Sequence, residues 1–477
     1  MDSKDFRHWA HRASDWAADY YESLPDYPVR ARVAPGEIGA LIDAAPPEAP
    51  QEMERIFADF ERIVPPGMTH WQHPRFFAYF PSNAAPAAVV AEQLAGAMAA
   101  QCMLWQTSPA ATELEVKMVE WLRQAVDLPE SFKGVFQDTA SSATLCAVLT
   151  MRERALGWQG NRNGLSGKPV VRVYASTRTH SSIDKAVWIA GIGQDNLVKI
   201  PTDEKLAMDV AVLRAAIRRD REDGLLPAGI VVCVGGTSTG ATDDVAAVCQ
   251  VAREEGLYSH VDAAWAGSAM ICPEFRHLWA GVEHADSIVL NPHKWLGASM
   301  ECSAHFVREP EMLVRTLSIQ PEYLKTHVKG DQDGMVNFSE WSVQLGRRFR
   351  ALKVWFLMRA YGLEGLRSRI RNHVAWARKL AERLAGESDF EIVTPPMLSL
   401  FSFRYVPKGP KGLGLDLDVL NLRLLNAIND DGRIYLTQTE HDGKLVIRFV
   451  AGQFETRAQD FDVAFDAICE TARALIE

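Results

Sequence analysis

The chain has no excess of positive charge. Its 477 residues include 51 lysines and arginines against 61 aspartates and glutamates, a net charge of −10. Nucleic-acid phosphates select basic surfaces, so this balance argues against a nucleic-acid partner. The seven cysteines, at 102, 146, 233, 249, 272, 302 and 469, form no CxxC pair and no tight His/Cys cluster. No metal site is therefore expected, and the cysteines read as reduced, buried thiols of a cytoplasmic protein. The amino terminus, Met-Asp-Ser-Lys-Asp, has no apolar signal core. The nearest approach to a membrane span, Ala84–Leu104, holds Glu92, Gln93 and Gln101 and reads as a buried helix, so no membrane role is expected. Internal repeats and low-complexity tracts are absent. Gly235-Gly-Thr-Ser-Thr239-Gly is glycine-rich but lacks the GxGxxG spacing of a dinucleotide site.

What is present is a globular composition, 47% hydrophobic and 23% charged, in a chain long enough for a large domain and smaller ones. Residues 6–24 repeat apolar side chains at helical spacing, with Ser3 as the expected N-cap, and a second helix is expected from Met53 to Ile63 before Pro65-Pro66. Both helices carry wide apolar stripes with no sheet to cover them, which points to a partner subunit. From about 108 to 310, helical patterns alternate with the β-branched runs Val170–Tyr174, Gly229–Val234, Tyr258–Val261 and Ser287–Leu290. That alternation predicts an α/β domain with a mostly parallel, helix-covered sheet whose ligand groups sit at the carboxyl ends of the strands. Residues 319–345 read as a long lid loop. Helix follows at 351–385, then strands at Leu398–Tyr405, Arg433–Leu436 and Leu445–Val450 with a turn at Asp442-Gly443, and a last helix at 460–476. The expected division is an N-terminal helical segment, 1–85, a large domain, 86–355, and a small α/β domain, 356–477.

The chemistry gathers at the ends of the predicted strands. Lys294 lies in Asn291-Pro-His293-Lys294-Trp-Leu-Gly, and Asp262 ends the run His260-Val-Asp262. A lysine behind a histidine, after a strand that ends in aspartate, suits pyridoxal 5′-phosphate: the amine can condense with the cofactor aldehyde, and the carboxylate can keep the ring nitrogen protonated. Asp138-Thr139-Ala140-Ser141-Ser142 is a polar turn between a short strand and a helix, where backbone N–H groups can receive a phosphate. His180 follows the strand at 170–174 and can stack on a flat ring. Alone, each of these is a common helix cap or a structural histidine. Their specificity comes from the order phosphate turn, histidine, aspartate, lysine in one α/β segment.

With those residues in view, the chain resembles the group II pyridoxal-phosphate-dependent amino-acid decarboxylases, and among them the aromatic L-amino-acid decarboxylases. The matching stretches are His70-Trp71-Gln-His-Pro-Arg-Phe-Phe-Ala-Tyr79-Phe80-Pro81, His180-Ser-Ser, His260-Val-Asp262-Ala-Ala264-Trp-Ala-Gly-Ser-Ala, Cys272-Pro-Glu-Phe-Arg-His, Asn291-Pro-His293-Lys294-Trp-Leu and Leu345-Gly346-Arg-Arg-Phe-Arg. The resemblance implies fold type I and a homodimer with the active site at its interface. It implies Lys294 as the Schiff-base lysine, Asp262 at the ring nitrogen, His180 and Ala264 on the two ring faces, and Thr239 near the ring. It sets Thr139, Ala140, Ser141, Asn291 and His293 around the phosphate, and Trp71, Tyr79, Phe80, Pro81, Ser82, Met103, His180 and Gly346 around the substrate.

The same resemblance makes Tyr323 the donor that protonates the carbanion left by decarboxylation. Relatives that instead oxidise this carbanion to an aldehyde tend to carry phenylalanine at that position, or asparagine in place of the histidine. Here both His180 and Tyr323 are present, which favours an amine product from tryptophan-like or tyrosine- and DOPA-like substrates. Phe76 and Phe77 read as core. Gly346 matches a position where glycine leaves room for an indole and serine goes with phenolic substrates. Arg75 is a potential carboxylate partner for a non-aromatic substrate. Asp138 stands where animal members carry glycine, Met103 where phenylalanine is common, Ser82 where threonine is, and Ser339 replaces an arginine. Tyr323→Phe should divert product from amine toward aldehyde, ammonia and peroxide. Unchanged amine output without peroxide would rule out the proton-donor role.

Overall fold

Short buried runs separated by helices build a seven-stranded sheet from β1 (Lys133–Gln137), β2 (Val171–Ser176), β3 (Leu197–Ile200), β4 (Leu226–Cys233), β5 (Tyr258–Asp262), β6 (Ser287–Leu290) and β7 (Ser303–Val307). The order is β1-β7-β6-β5-β4-β2-β3. The pairs β2–β3, β2–β4, β4–β5 and β5–β6 are parallel, and β7 is antiparallel to both β6 and β1. Every strand except β7 therefore points the same way. Central strands such as β5 and β6 are buried at every position, as a sheet covered on both faces requires. This agrees with the expected α/β class. The computed structural model describes residues 1–319, 336–409 and 414–476; most of the expected lid loop, Tyr323 included, lies outside them.

The sheet belongs to one of two compact units, Ser82–Ala375; the other joins Met1–Pro81 to Trp376–Glu477. The sequence reading had separated 1–85 from 356–477. The chain instead folds its first segment with its last, and the boundary near 375 falls inside the helical run Arg350–Gly386, which is broken at Gly362 (φ 62°). In the second unit a four-stranded antiparallel sheet forms from β8 (Phe390–Met397), β9 (Leu400–Tyr405), β10 (Thr437–His441) and β11 (Lys444–Val450), in the order β10-β11-β9-β8. Pro395 and Pro396 sit in the edge strand β8, where a missing N–H costs least. Phe77 is fully buried in this unit's core and its N–H donates to Tyr435 O (3.0 Å).

Local differences from expectation have physical reasons. The first helix, Ser3–Ser23, is capped by Asp2, whose carboxylate accepts from the N–H groups of Lys4 and Asp5 (2.7 and 2.9 Å), so the expected cap Ser3 becomes its first residue. The hairpin turns at Asp442-Gly443 as expected, with φ of 49° and 71°. Its first strand begins at Thr437 instead of Arg433, because Tyr435 bridges to Phe76. Helix Ser3–Ser23 meets Met53–Ile63 through Trp9–Phe57 and Trp16–Phe60 (5.6 and 4.8 Å), yet buries none of its own residues fully. All seven cysteines are buried and free. No helix among the described residues is long and apolar enough to cross a membrane.

Two interactions fix the cofactor-side sheet internally. Glu115, in the helix Pro109–Ala125, pairs with Arg347 (2.6 Å), both almost wholly buried, and each also bonds the β1 residue Phe136. Such a buried pair ties its segments together, because loss of one partner strands the other's charge. Behind Asp262, His260 contacts Ser287 (2.8 Å) and packs edge-on against His305 (5.9 Å).

Neither ring nitrogen of His305 has a hydrogen-bond partner among the described residues. Burial holds its pKa down to about 3, from 6.5. The unfolded chain therefore binds a proton before the folded one does as pH falls. The stability this ring contributes is complete above pH 6.5 and lost as pH drops toward about 3. His305→Phe keeps a ring against His260 and abolishes that uptake. On going from about pH 8 to about pH 5, the parent should lose about 2 kcal/mol more than the variant in urea unfolding. Equal losses would show that the ring is not buried neutral.

Candidate active site

Because the strands share a direction, the segments that follow β1, β2, β4, β5 and β6 all emerge at one edge of the sheet. Asp138–Ser142, His180, Thr239, Asp262–Ala264 and Asn291–Lys294 lie in those segments. The structure thus brings every expected cofactor residue to one edge.

Lys294 rides on a tight π-helical turn, Pro292–Leu296, that is anchored from several sides. Trp295 stacks on Trp265 (4.9 Å) and donates its indole N–H to His373 Nδ1 (3.0 Å). Asn291 N–H donates to Ala264 O (2.9 Å), and Ser303 Oγ donates to Asn291 Oδ1. The segment after Ser82 runs along the turn: Asn83 N–H donates to His293 O (3.0 Å), Asn83 Nδ2 to Lys294 O (2.5 Å), and Ala85 N–H to Gly297 O (2.8 Å). Asn83 is buried. Sequence reasoning had passed it over between Ser82 and the helix Pro86–Met98, because nothing local marks a contact with a turn so far along the chain.

Two imidazoles are set in defined protonation states. The N–H of Ser182 donates to Nδ1 of His180 (3.1 Å), and the Ser182 hydroxyl lies at 2.9 Å from the same atom. Nδ1 is thereby an acceptor, which leaves the ring proton on Nε2. Burial lowers the pKa of His180; the Asp262 carboxylate opposes the shift and the Lys294 ammonium adds to it. Both charges therefore reach this ring. His293 is similar: Cys302 N–H donates to its Nδ1 (3.0 Å), and burial brings its pKa down to about 3. Asp262 is itself buried, and its Oδ1 accepts from Ala264 N–H (3.1 Å).

The residues present fit a phosphorylated pyridine. The helix Ala140–Ala155 starts at the turn after β1 and offers its first amides at this edge. The hydroxyl of Thr239 is buried with no hydrogen-bond partner among the described residues, which suits a polar ligand atom. Its loop is held by Asp243, whose carboxylate accepts from Cys233 and Met208 N–H (2.7 and 2.8 Å). Nearby, Cys102 N–H donates to Arg347 O (2.9 Å) and Arg347 N–H to Gln101 Oε1 (2.8 Å), so the Met103 and Gly346 segments lie side by side. A side chain on Gly346 would start 3.3 Å from the Gln101 amide.

Trp71, Tyr79, Phe80 and Pro81 belong to the unit that joins Met1–Pro81 to Trp376–Glu477. There Trp71 stacks on Tyr79 (5.6 Å), with Tyr79 in the left-handed region (φ 46°) and about half exposed. Such strain in a non-glycine residue is common at ligand sites. Arg448 donates to Tyr79 O (2.5 Å) and lies over the Phe80 ring (4.8 Å), and burial lowers its pKa to about 9. Phe76 and Phe77 are fully buried, in keeping with core packing. Arg75 is engaged by Arg433 O (2.8 Å), Pro25 O (2.7 Å) and Asp460 (3.7 Å), which corrects the suggestion that it receives a substrate carboxylate.

Comparison with known proteins concerns the chain as a whole. The pyridoxal-dependent decarboxylase conserved domain matches residues 35–406. Tyrosine decarboxylase 1 of Narcissus pseudonarcissus is 38% identical over 100% of this chain and 94% of its own. Phenylacetaldehyde synthase of Arabidopsis thaliana is also 38% identical, over 100% and 97%. The crystal structure of Oryza sativa TDC with PLP and tryptamine superimposes with a TM-score of 0.96 at 37% identity, covering 100% of this chain and 99% of that one.

The bond from Asn83 to the lysine turn can be tested by itself. Asn83→Ala should cost about 1 kcal/mol, and Asn83→Asp, which sets a carboxylate against the Lys294 carbonyl, about 2–3 kcal/mol. Thermal midpoints report both. Two equal and negligible shifts would mean that the contact carries no energy.

Proposed function

The chain belongs to the pyridoxal-dependent decarboxylase family, and from that premise we propose that it removes the carboxyl group of aromatic L-amino acids, releasing carbon dioxide and the amine. Its cofactor is pyridoxal 5′-phosphate, which when bound supplies an aldehyde to condense with amines and a ring that draws electrons from the breaking bond. The observation that carries the reading is that the segments holding Asp138–Ser142, His180, Thr239, Asp262 and Lys294 emerge together at one edge of the sheet.

In this reading Lys294 Nζ would hold the aldehyde, and its turn fixes where that amine can reach. Asp262 would keep a proton on the ring nitrogen. His180 and Ala264 would pack against the ring, and the Nε2 proton of His180 would orient a carboxylate. Thr139, Ala140, Ser141, Asn291 and His293 would hold the phosphate, and Thr239 would be a further cofactor contact. The proton that completes the amine comes from Tyr323. The stacked Trp71 and Tyr79, with Phe80 and Pro81, would offer aromatic surface to the substrate, from which an aromatic side chain gains about 0.5–1.5 kcal/mol per ring pair beyond burial; Ser82 and Met103 are further substrate residues in this reading. The enzyme acts as a cytoplasmic homodimer in which the helix Ser3–Ser23 packs on the partner. Support for that packing is the helix's lack of any fully buried residue and the exposure of Phe6.

An aldehyde synthase is the second reading, since a relative with that activity is as similar as the decarboxylases. The pair His180 and Tyr323 favours the amine. Amine, carbon dioxide and peroxide measured with tryptophan, 5-hydroxytryptophan, tyrosine, DOPA and phenylalanine decide the matter. Amine and carbon dioxide in equal amounts without peroxide are expected, and Gly346→Ser should lower kcat/KM for tryptophan relative to tyrosine by about ten-fold. Turnover of glutamate or aspartate with none of the five would defeat the proposal.

A further inference from the structure

The turn that would receive the phosphate already holds an anion of its own. Asp138 Oδ1 accepts both the Thr139 N–H (2.5 Å) and the Thr139 hydroxyl (3.2 Å). Its other oxygen, Oδ2, accepts from Gln344 Nε2 (2.8 Å), and that same amide lies 3.5 Å from Ser142 Oγ. Two of the donors at the head of the helix Ala140–Ala155 are thus spent on a carboxylate of the chain. Asp138 is only partly buried, and its charge reaches His293, where it opposes the lowering of that ring's pKa. A carboxylate at a helix N-terminus is favourable in itself, but beside a second anion it is a repelling neighbour.

We propose that Asp138 competes with the cofactor phosphate for the Thr139 donors, and that Gln344 limits the competition by binding the carboxylate from the opposite side. A hydrogen bond from Gln344 disperses charge on Oδ2. Without it, the Thr139 groups are the donors left to Asp138 among the described residues, and it grips them harder. Asp138 thus weakens cofactor retention, and Gln344 is a positioning residue that relieves the effect. The inference rests on reading Thr139–Ser141 as the phosphate turn.

The test measures equilibrium binding of pyridoxal 5′-phosphate and of pyridoxal, which lacks the phosphate, to the full-length protein after its cofactor has been removed. Circular dichroism confirms that each variant is folded. Asp138→Asn should tighten pyridoxal 5′-phosphate binding by about ten-fold, as expected for removing one like charge beside an ionic site, and leave pyridoxal unchanged. Gln344→Ala should weaken pyridoxal 5′-phosphate binding by about five-fold when Asp138 is present, and by less than about two-fold when combined with D138N, because contacting residues couple. Unchanged or weaker binding in D138N, an equal gain for pyridoxal, or the same effect of Q344A in both backgrounds would overturn the proposal. Ser141→Ala separates the two levels. If it weakens pyridoxal 5′-phosphate but not pyridoxal while D138N does nothing, the phosphate turn stands and the competition is wrong. If it affects both ligands alike, the phosphate turn falls and the competition with it.

Discussion

Strands that share one direction must release their following segments at one edge, and everything chemical in this protein depends on that constraint. Only β7 runs the other way, and it returns Cys302 and Ser303 to the same edge. The polar turn after β1, the histidine after β2, the glycine-rich loop after β4, the aspartate of β5 and the lysine turn after β6 are brought together by backbone geometry. The strands bury some polar groups of their own, Gln137, Ser176, Ser259, His260, Ser287, Ser303 and His305 among them, and the His260–Ser287 contact lies behind Asp262. The sheet sets location and the loops set chemistry, a division common to open parallel sheets.

At that edge, charge is controlled by single N–H groups. Ser182 and Cys302 each donate to the Nδ1 of a histidine, the exposed His180 and the buried His293, and desolvation lowers the pKa of both rings. Two imidazoles are therefore fixed as Nε2 donors, with no carboxylate bonded to them among the described residues. The lysine turn is held differently, by the Trp265–Trp295 stack and the backbone bonds from Asn83 and Ala85. Aromatic packing fixes the turn's position, and hydrogen bonds fix the direction of its carbonyls.

What was readable in the sequence is what depends on short range. Buried strands, the Asp442-Gly443 turn, the proline stops and the strand-end motifs all have local signatures, because pleat period, positive φ and missing N–H groups act within a few residues. Asp262 and Lys294 were legible because each follows a recognisable strand. Partners far apart in the chain left no such trace: Asn83 on Lys294, Gln344 on Asp138, Arg448 on Tyr79 and Glu115 on Arg347. The choice of Asp2 over Ser3 as helix cap was local but close to degenerate, since both types cap well. The grouping of the first segment with the last was hidden because it depends on Phe77 reaching a core made of residues after 376.

That grouping has a consequence during synthesis. The ribosome delivers Met1–Pro81 first, then all of Ser82–Ala375, and only afterwards the strands against which Phe77 is buried. At ordinary elongation rates of about 5–20 residues per second, the early segment waits for tens of seconds with its aromatic side chains unsheltered. The seven-stranded sheet can fold as soon as its own stretch has emerged, but the other unit cannot close until the strands and helices after Trp376 have been made. Until then Met1–Pro81 is exposed to aggregation or chaperone capture.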